Sequence, residues 1–201
     1  MAGPAALNAM VEDATLAPHL RGRGLQIIGV CEHLSQREGL LQVSPILRDF
    51  TAEEADLLGA NMLLVRARPG QLLIAEGEAS DWMMMLLSGT VDVGKRPVGE
   101  TEEAEATVTR LAVIKEGAVI GEMSMLDGEP RYASCRALSE VEAAVLTRGA
   151  VTRLIEKHPA VGAKLLVKLT QLLAQRLRNT SSKLVKVLQQ QKPSGPGPET
   201  A

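Results

Sequence analysis

The sequence predicts a mainly β protein with flanking helices, namely an eight-stranded antiparallel β-roll (jelly roll) followed by a short helix and a long dimerisation helix. Between residues 63 and 147, short apolar runs such as QLLIAEG, MMMLLSG and TVDVG are separated by glycines. Such regularly spaced short runs are typical of β-sandwiches and rolls. After Thr147, leucines recur every three or four residues, which is typical of an amphipathic helix. Pro159 divides this last part into two helices.

Composition limits the classes of function. The 201 residues suffice for one main domain, and the formal net charge of −2 favours neither nucleic acid nor an anionic membrane as a partner. Aromatic residues are 1% of the chain, too few for a surface that stacks successive bases. Glu12 and Asp13 interrupt any signal-peptide pattern, and no uncharged segment is long enough to span a membrane. We therefore expect a cytoplasmic protein without a membrane partner.

The chain divides into three parts. Residues 1–45 form an N-terminal extension with short helices, because glycines repeatedly interrupt its apolar runs. Residues 46–190 form the main domain, which starts with a helix that Thr51 and Glu54 cap and that ends near Gly59. Residues 191–201 are rich in proline and glycine and predict a disordered tail. The acidic insertion PVGETEEAE predicts a solvated hairpin loop in preference to an acidic docking site.

One stretch, GEMSMLDGEPRYAS from Gly121 to Ser134, places two charges in a chain of apolar and small residues. Gly121 permits a sharp turn, and the residues after it predict one helical turn with unpaired N–H groups at its start. Arg131 can return to that point and clamp an anion, while Glu122 can accept a hydrogen bond from a sugar hydroxyl. The stretch therefore predicts a sugar-phosphate site. The alternative is a surface ion pair between Glu122 and Arg131, worth about 0–1 kcal/mol and without function.

The segment GEMSMLDGEPRYASCRA resembles the phosphate-binding cassette of cyclic nucleotide-binding domains, and the resemblance extends from about Ile46 to Leu188. It implies that Arg131 holds the cyclic phosphate and Glu122 the ribose 2′-hydroxyl. The backbone of Gly121, Glu122 and Met123 would line the pocket. Tyr132 departs from the family pattern, which has Ser, Thr or Ala after this arginine, and this departure affects the phosphate contacts and the base preference. Small residues follow it, beginning with Ala133.

The segment LTQLLAQRLRNTSSKL resembles the dimerisation helix of the catabolite activator protein branch of this family. The resemblance implies that Thr180 and Ser181 contact the adenine base, one from each subunit, and that Arg176 supports the site by pairing with Glu122. Thr180 has an alternative role in setting helix register, as a lone polar residue does in a coiled coil. The implied ligand is cAMP, with cGMP as the second candidate, and no cofactor or metal is implied.

The expected function is that of a ligand-gated sensor. A cyclic nucleotide would enter the roll, the helices after Thr147 would shift, and an unidentified effector protein would bind the changed surface of a homodimer. The chain ends at Ala201 without the helix-turn-helix domain of the activator branch, so a stand-alone sensor without specific DNA binding is expected. The basic side chains of the long helix predict a solvated face in preference to a non-specific phosphate contact. The alternative function is a structural β-roll dimer that binds protein partners and no cyclic nucleotide.

An enzyme is not expected. A cupin-type metal enzyme has the same strand texture but requires histidine and carboxylate ligands that project from the strands. His19, His33 and His158 all lie outside the strand region, and no spacing suggests a Ser-His-Asp or Cys-His arrangement. Cys31 and Cys135 are far apart in the chain and form no zinc-binding pattern.

Overall fold

Two antiparallel sheets pack against each other in a computed structural model that describes residues 16–96 and 108–190. The first sheet has the strand order β1-β2-β9-β4-β7 and the second the order β3-β8-β5-β6. The strands are β1 (Gln26–Val30), β2 (Leu63–Ala67), β3 (Leu72–Ile74), β4 (Trp82–Ser88), β5 (Thr90–Lys95), β6 (Thr109–Lys115), β7 (Val119–Ile120), β8 (Ser134–Ala137) and β9 (Val141–Thr147). The mainly β roll with flanking helices is confirmed. The predicted acidic hairpin loop and the tail lie outside the described residues.

Six α-helices lie in the described part of the chain: α1 (Leu16–Gly22), α2 (Leu40–Val43), α3 (Ala52–Gly59), α4 (Glu122–Asp127), α5 (Arg148–Lys157) and α6 (Pro159–Gln190). A 3-10 turn spans Leu34–Gln36. The predicted short and long helices are confirmed, and Pro159 begins the long one. The capping box of α3 is also confirmed, because the Glu54 N–H donates to Thr51 Oγ1 over 3.2 Å and the Thr51 N–H donates to Glu54 Oε2 over 2.9 Å.

The run WMMMLL is apolar throughout because β4 is buried on both faces. Met84 and Leu86 point into the roll, between the two sheets. Met83 and Met85 point the opposite way and pack against the helices. A strand covered on both faces has no solvated side that would require polar residues, so the usual alternation is absent.

The N-terminal extension differs from the sequence expectation. It contributes a strand, β1, which pairs with β2 and raises the number of strands in residues 16–96 and 108–190 from the predicted eight to nine. The strand was missed because Gly29 interrupts the short apolar run, and the ladder accommodates it with a shift of register between Ile27 and Gly29. Leu16 and Leu20 of α1 are buried in the core of the roll. The described part of the extension is therefore packed on the roll.

The long helix α6 has its buried side chains in its first half. Leu165 and Leu169 are buried, and Lys164 pairs with Glu54 of α3 over 2.6 Å, a contact that lowers the pKa of the Glu54 carboxyl. Lys168 pairs with Asp49. These two pairs neutralise part of the basic face predicted from the sequence. Beyond residue 176 the apolar side chains of α6 are exposed.

No helix in the described residues is long and apolar enough to cross a bilayer.

Candidate functional site

The candidate site begins where β7 ends and the chain turns into α4. Gly121 has a φ of 78°, in the left-handed region that favours glycine. A Cβ at this position would collide with the guanidinium of Arg131, so the turn and the close approach of Arg131 both require glycine. Glu122 is the first residue of α4, and the helix ends at a second left-handed glycine, Gly128. The local sequence thus builds the predicted one-turn helix.

Arg131 is 3% exposed and forms no ion pair with any carboxylate in the described residues. Its guanidinium donates to the carbonyl oxygen of Gly121 over 2.7 Å and to that of Trp82 over 2.6 Å. It also lies 4.2 Å from the centre of the Trp82 ring, while its Nε has no hydrogen-bond partner among the described residues. Burial lowers the pKa of Arg131 to about 10, so the side chain stays charged at neutral pH. A buried cation without an anion is costly, which favours an anionic ligand.

Glu122 is 1% exposed and pairs with Arg176 of α6. Arg176 also donates to the carbonyl oxygen of Val119 over 2.7 Å, so its guanidinium bridges β7 and α4, the cassette helix. The structure therefore brings together the two residues that the resemblance paired. The alternative of a surface ion pair between Glu122 and Arg131 is wrong, because both side chains are buried and Glu122 pairs with Arg176.

These groups line one cavity of about 390 Å³. Seven of the eight predicted ligand-binding residues line it, together with the predicted supporting residue Arg176: Gly121, Glu122, Met123, Arg131, Tyr132, Ala133 and Thr180. Apolar walls come mainly from β5, β6 and β7. A cation and a carboxylate within a mostly apolar wall are suited to a small ligand with one anionic and one hydroxyl group.

Ser181 is the predicted ligand-binding residue that does not line this cavity. Successive helical residues are rotated by about 100°, so Ser181 points away from the face that carries Arg176 and Thr180. It lies instead near the exposed leucines Leu177, Leu184 and Leu188, which form the outer stripe of α6. Ser181 therefore does not contribute to the cavity of its own chain.

Tyr132 is 57% exposed, and its ring lies 4.1 Å from the Lys95 ammonium. Lys95 also donates to the Tyr132 carbonyl oxygen over 2.7 Å and pairs with Glu76 over 3.1 Å. The phenol is therefore held on Lys95 at the edge of the cavity. The large side chain that departs from the family pattern therefore lines the cavity and also lies against Lys95.

Sequence reasoning missed four residues of the site. Asn179 and Lys183 line the cavity, and their spacing of three and seven residues from Arg176 on one helix face was the signal that could have found them. Trp82 faces the Arg131 guanidinium, and no spacing indicates that contact. Arg148 donates to the carbonyl oxygens of Ser124 over 3.0 Å and Met125 over 2.7 Å, so it caps the end of the cassette helix.

Within residues 16–96 and 108–190, no group of three His, Cys, Asp or Glu residues could hold a metal ion.

Comparison with known proteins identifies the class to which this fold and cavity belong. Residues 64–158 match the family model of the cyclic nucleotide-binding domain. The crystal structure of a cyclic nucleotide-binding domain from Methylobacillus flagellatus KT is 30% identical, with a TM-score of 0.70 over 88% of this chain and 92% of that one. The chain belongs to the cyclic nucleotide-binding domain family, whose members are typically non-catalytic regulatory modules.

Two curated relatives have names that describe regulation by cAMP. A CRP-like cAMP-activated global transcriptional regulator of Mycobacterium tuberculosis is 30% identical over 59% of this chain and 49% of its own length. A cAMP-dependent protein kinase regulatory subunit of Yarrowia lipolytica is 29% identical over 66% of this chain and 33% of its own length. The chain therefore spans between a third and a half of these relatives.

Proposed function

We propose that the protein binds a cyclic nucleotide, cAMP, and passes the resulting conformational change to a partner protein through α5 and α6. Arg131 holds the cyclic phosphate and Glu122 the ribose 2′-hydroxyl, next to the backbone of Gly121 and Met123. Thr180 contacts the adenine, together with Ser181 of a second copy. One observation carries the proposal: the same cavity contains a buried cation without a carboxylate partner and a buried carboxylate that Arg176 neutralises.

The charges of the cavity favour a cyclic phosphodiester. Such a phosphate carries one negative charge, which offsets the charge of Arg131 and provides an acceptor for its unpartnered Nε–H. Arg176 balances the charge of Glu122, and the carboxylate keeps lone pairs that can accept a hydroxyl hydrogen. The names of the two curated relatives add support for cAMP.

Two arginines provide the route by which binding reaches the helices. Arg148 at the start of α5 caps the cassette helix, and Arg176 of α6 pairs with Glu122. When the cassette tightens around phosphate and ribose, both contacts transmit its displacement to α5 and α6. A partner protein then distinguishes the two arrangements by its different affinity for each.

Calorimetric titration with cAMP and cGMP tests the proposal. The wild-type protein binds cAMP more tightly than cGMP, and Arg131→Leu weakens binding by about 2–4 kcal/mol because a buried, charge-assisted contact is lost. Arg136→Leu is the matched control, since this arginine on β8 is exposed and donates to the Gly70 carbonyl oxygen. If neither nucleotide releases heat and denaturation releases no bound nucleotide, the structural dimer module becomes the better description.

A further inference from the structure

A charged cluster joins α1 and the residues just after it to the loop before β4. Arg23 pairs with Glu78, and its Nε donates to Nε2 of His19 over 3.2 Å. Nε2 of His19 also lies 3.3 Å from Glu78 Oε1. Leu16 and Leu20 fix the helix to the core of the roll. The position of Glu78 is therefore tied to the docking of α1.

Two routes lead from this cluster to Arg131. Along the backbone, the Arg131 N–H donates to the Glu78 carbonyl oxygen over 2.9 Å, and the Gly77 N–H donates to the Arg131 carbonyl oxygen over 2.8 Å. Through the side chains, the His19 ring meets the Trp82 ring edge-on at 6.0 Å, and the Trp82 ring lies under the Arg131 guanidinium. The main chain and the side chain of Arg131 thus both contact groups that the cluster holds.

The guanidinium has few other supports. Its two hydrogen bonds go to the carbonyl oxygens of Gly121 and Trp82, and no carboxylate in the described residues pairs with it. Trp82 itself lines a second cavity of about 390 Å³, together with His19 and Arg148. The His19 ring is one of the groups that contact the Trp82 ring and limit its movement.

We propose that His19 and Arg23 are positioning residues that orient the phosphate-binding Arg131 through Glu78 and Trp82, so that ligand affinity depends on how α1 is docked. The inference rests on the proposed function for its ligand, but the orientation of Arg131 is a property of the free protein. The two can therefore be tested separately.

The first experiment needs no ligand. The Nε–H of Arg131 gives an NMR signal shifted by the Trp82 ring, which is assigned by its loss in Arg131→Lys. Arg23→Gln moves this signal towards the position of a solvated arginine, and Arg23→Lys restores it because the charge opposite Glu78 returns. Arg21→Gln is the matched control, since Arg21 is exposed and lies in α1, two residues before Arg23. If the signal in Arg23→Gln and in Glu78→Gln stays at the wild-type position, the inference is wrong.

The second experiment measures affinity in the full chain. Trp82 is the only tryptophan, so its fluorescence during a cAMP titration gives the dissociation constant. We expect Arg23→Gln and His19→Ala to weaken binding roughly three- to tenfold, the size of coupling found for residues outside a binding site, and Arg21→Gln to leave it unchanged. Wild-type affinity in both variants would overturn the inference while leaving the proposed function intact. If wild-type protein does not bind cAMP, the proposed function fails, and the NMR signal of the Arg23 and Glu78 variants alone decides whether the cluster orients Arg131.

Discussion

Tyr132 is the residue that departs from the family pattern, and its ring either contributes to cAMP affinity or does not. Its ring lies on Lys95 at the edge of the cavity and is more than half exposed. We expect Tyr132→Ala to change cAMP affinity by less than about threefold, because an exposed cation–π contact is worth only about 0.5–1 kcal/mol and does not hold the phosphate. Calorimetry of Tyr132→Ala beside Tyr132→Phe, which keeps the ring on Lys95, provides the measurement. A tenfold loss in Tyr132→Ala alone would show that the ring contacts the nucleotide.

The sequence predicted most of the residues that line the candidate site, but it did not predict the side chains that surround them. Glu122, Arg131 and Arg176 belong to motifs with fixed spacing, so the resemblance was sufficient to select them. Trp82 came from a run of apolar residues that are all buried, and nothing in such a run distinguishes the side chain that faces an arginine. The ion-pair alternative failed because burial cannot be deduced from charge pattern alone. Gly29 concealed β1 because a bulged strand lacks the alternation that predicts one.

The contact between the helices α6 and α4 depends on Arg176, which pairs with Glu122. Arg176→Met leaves the buried Glu122 carboxylate without its cation, and we expect a loss of about 1–3 kcal/mol in the free energy of unfolding, less than a fully buried pair because Arg176 is partly exposed. The double variant Arg176→Met/Glu122→Gln recovers part of that loss, since the uncompensated charge is removed. Urea titrations measure both changes.

Arg178→Met is the control for that experiment, because Arg178 is exposed on the same helix and, in the described residues, its side chain donates a hydrogen bond only to Gln175, over 3.4 Å. It should unfold like the wild-type protein. If Arg176→Met does so too, Glu122 is stabilised by other groups and the pair is not what connects α6 to the cassette.

The outer stripe of α6 is a surface along which two copies of the chain could form a dimer. Its side chains Leu177, Leu184 and Leu188 are exposed, and Ser181 lies on the same side of the helix. A second copy packed along this stripe would bury the leucines and bring its Ser181 towards the cavity that Thr180 lines. We expect the wild-type protein to be a dimer in light scattering and Leu177→Glu/Leu184→Glu to be a monomer with weakened cAMP binding.

Mixed dimers give the sharper test of this shared site. Arg131→Leu removes the phosphate contact of its own chain but keeps Ser181, whereas Ser181→Ala keeps Arg131 and loses one hydrogen bond, worth about 0.5–1.5 kcal/mol. In a dimer of one chain of each kind, the intact pocket belongs to the Ser181→Ala chain and receives Ser181 from the other chain. We therefore expect one cAMP per mixed dimer to bind with wild-type affinity in calorimetry, and dimers of Ser181→Ala alone to bind more weakly at every site. Equal affinity of the mixed and the Ser181→Ala dimers would mean that each pocket binds its nucleotide with the residues of one chain.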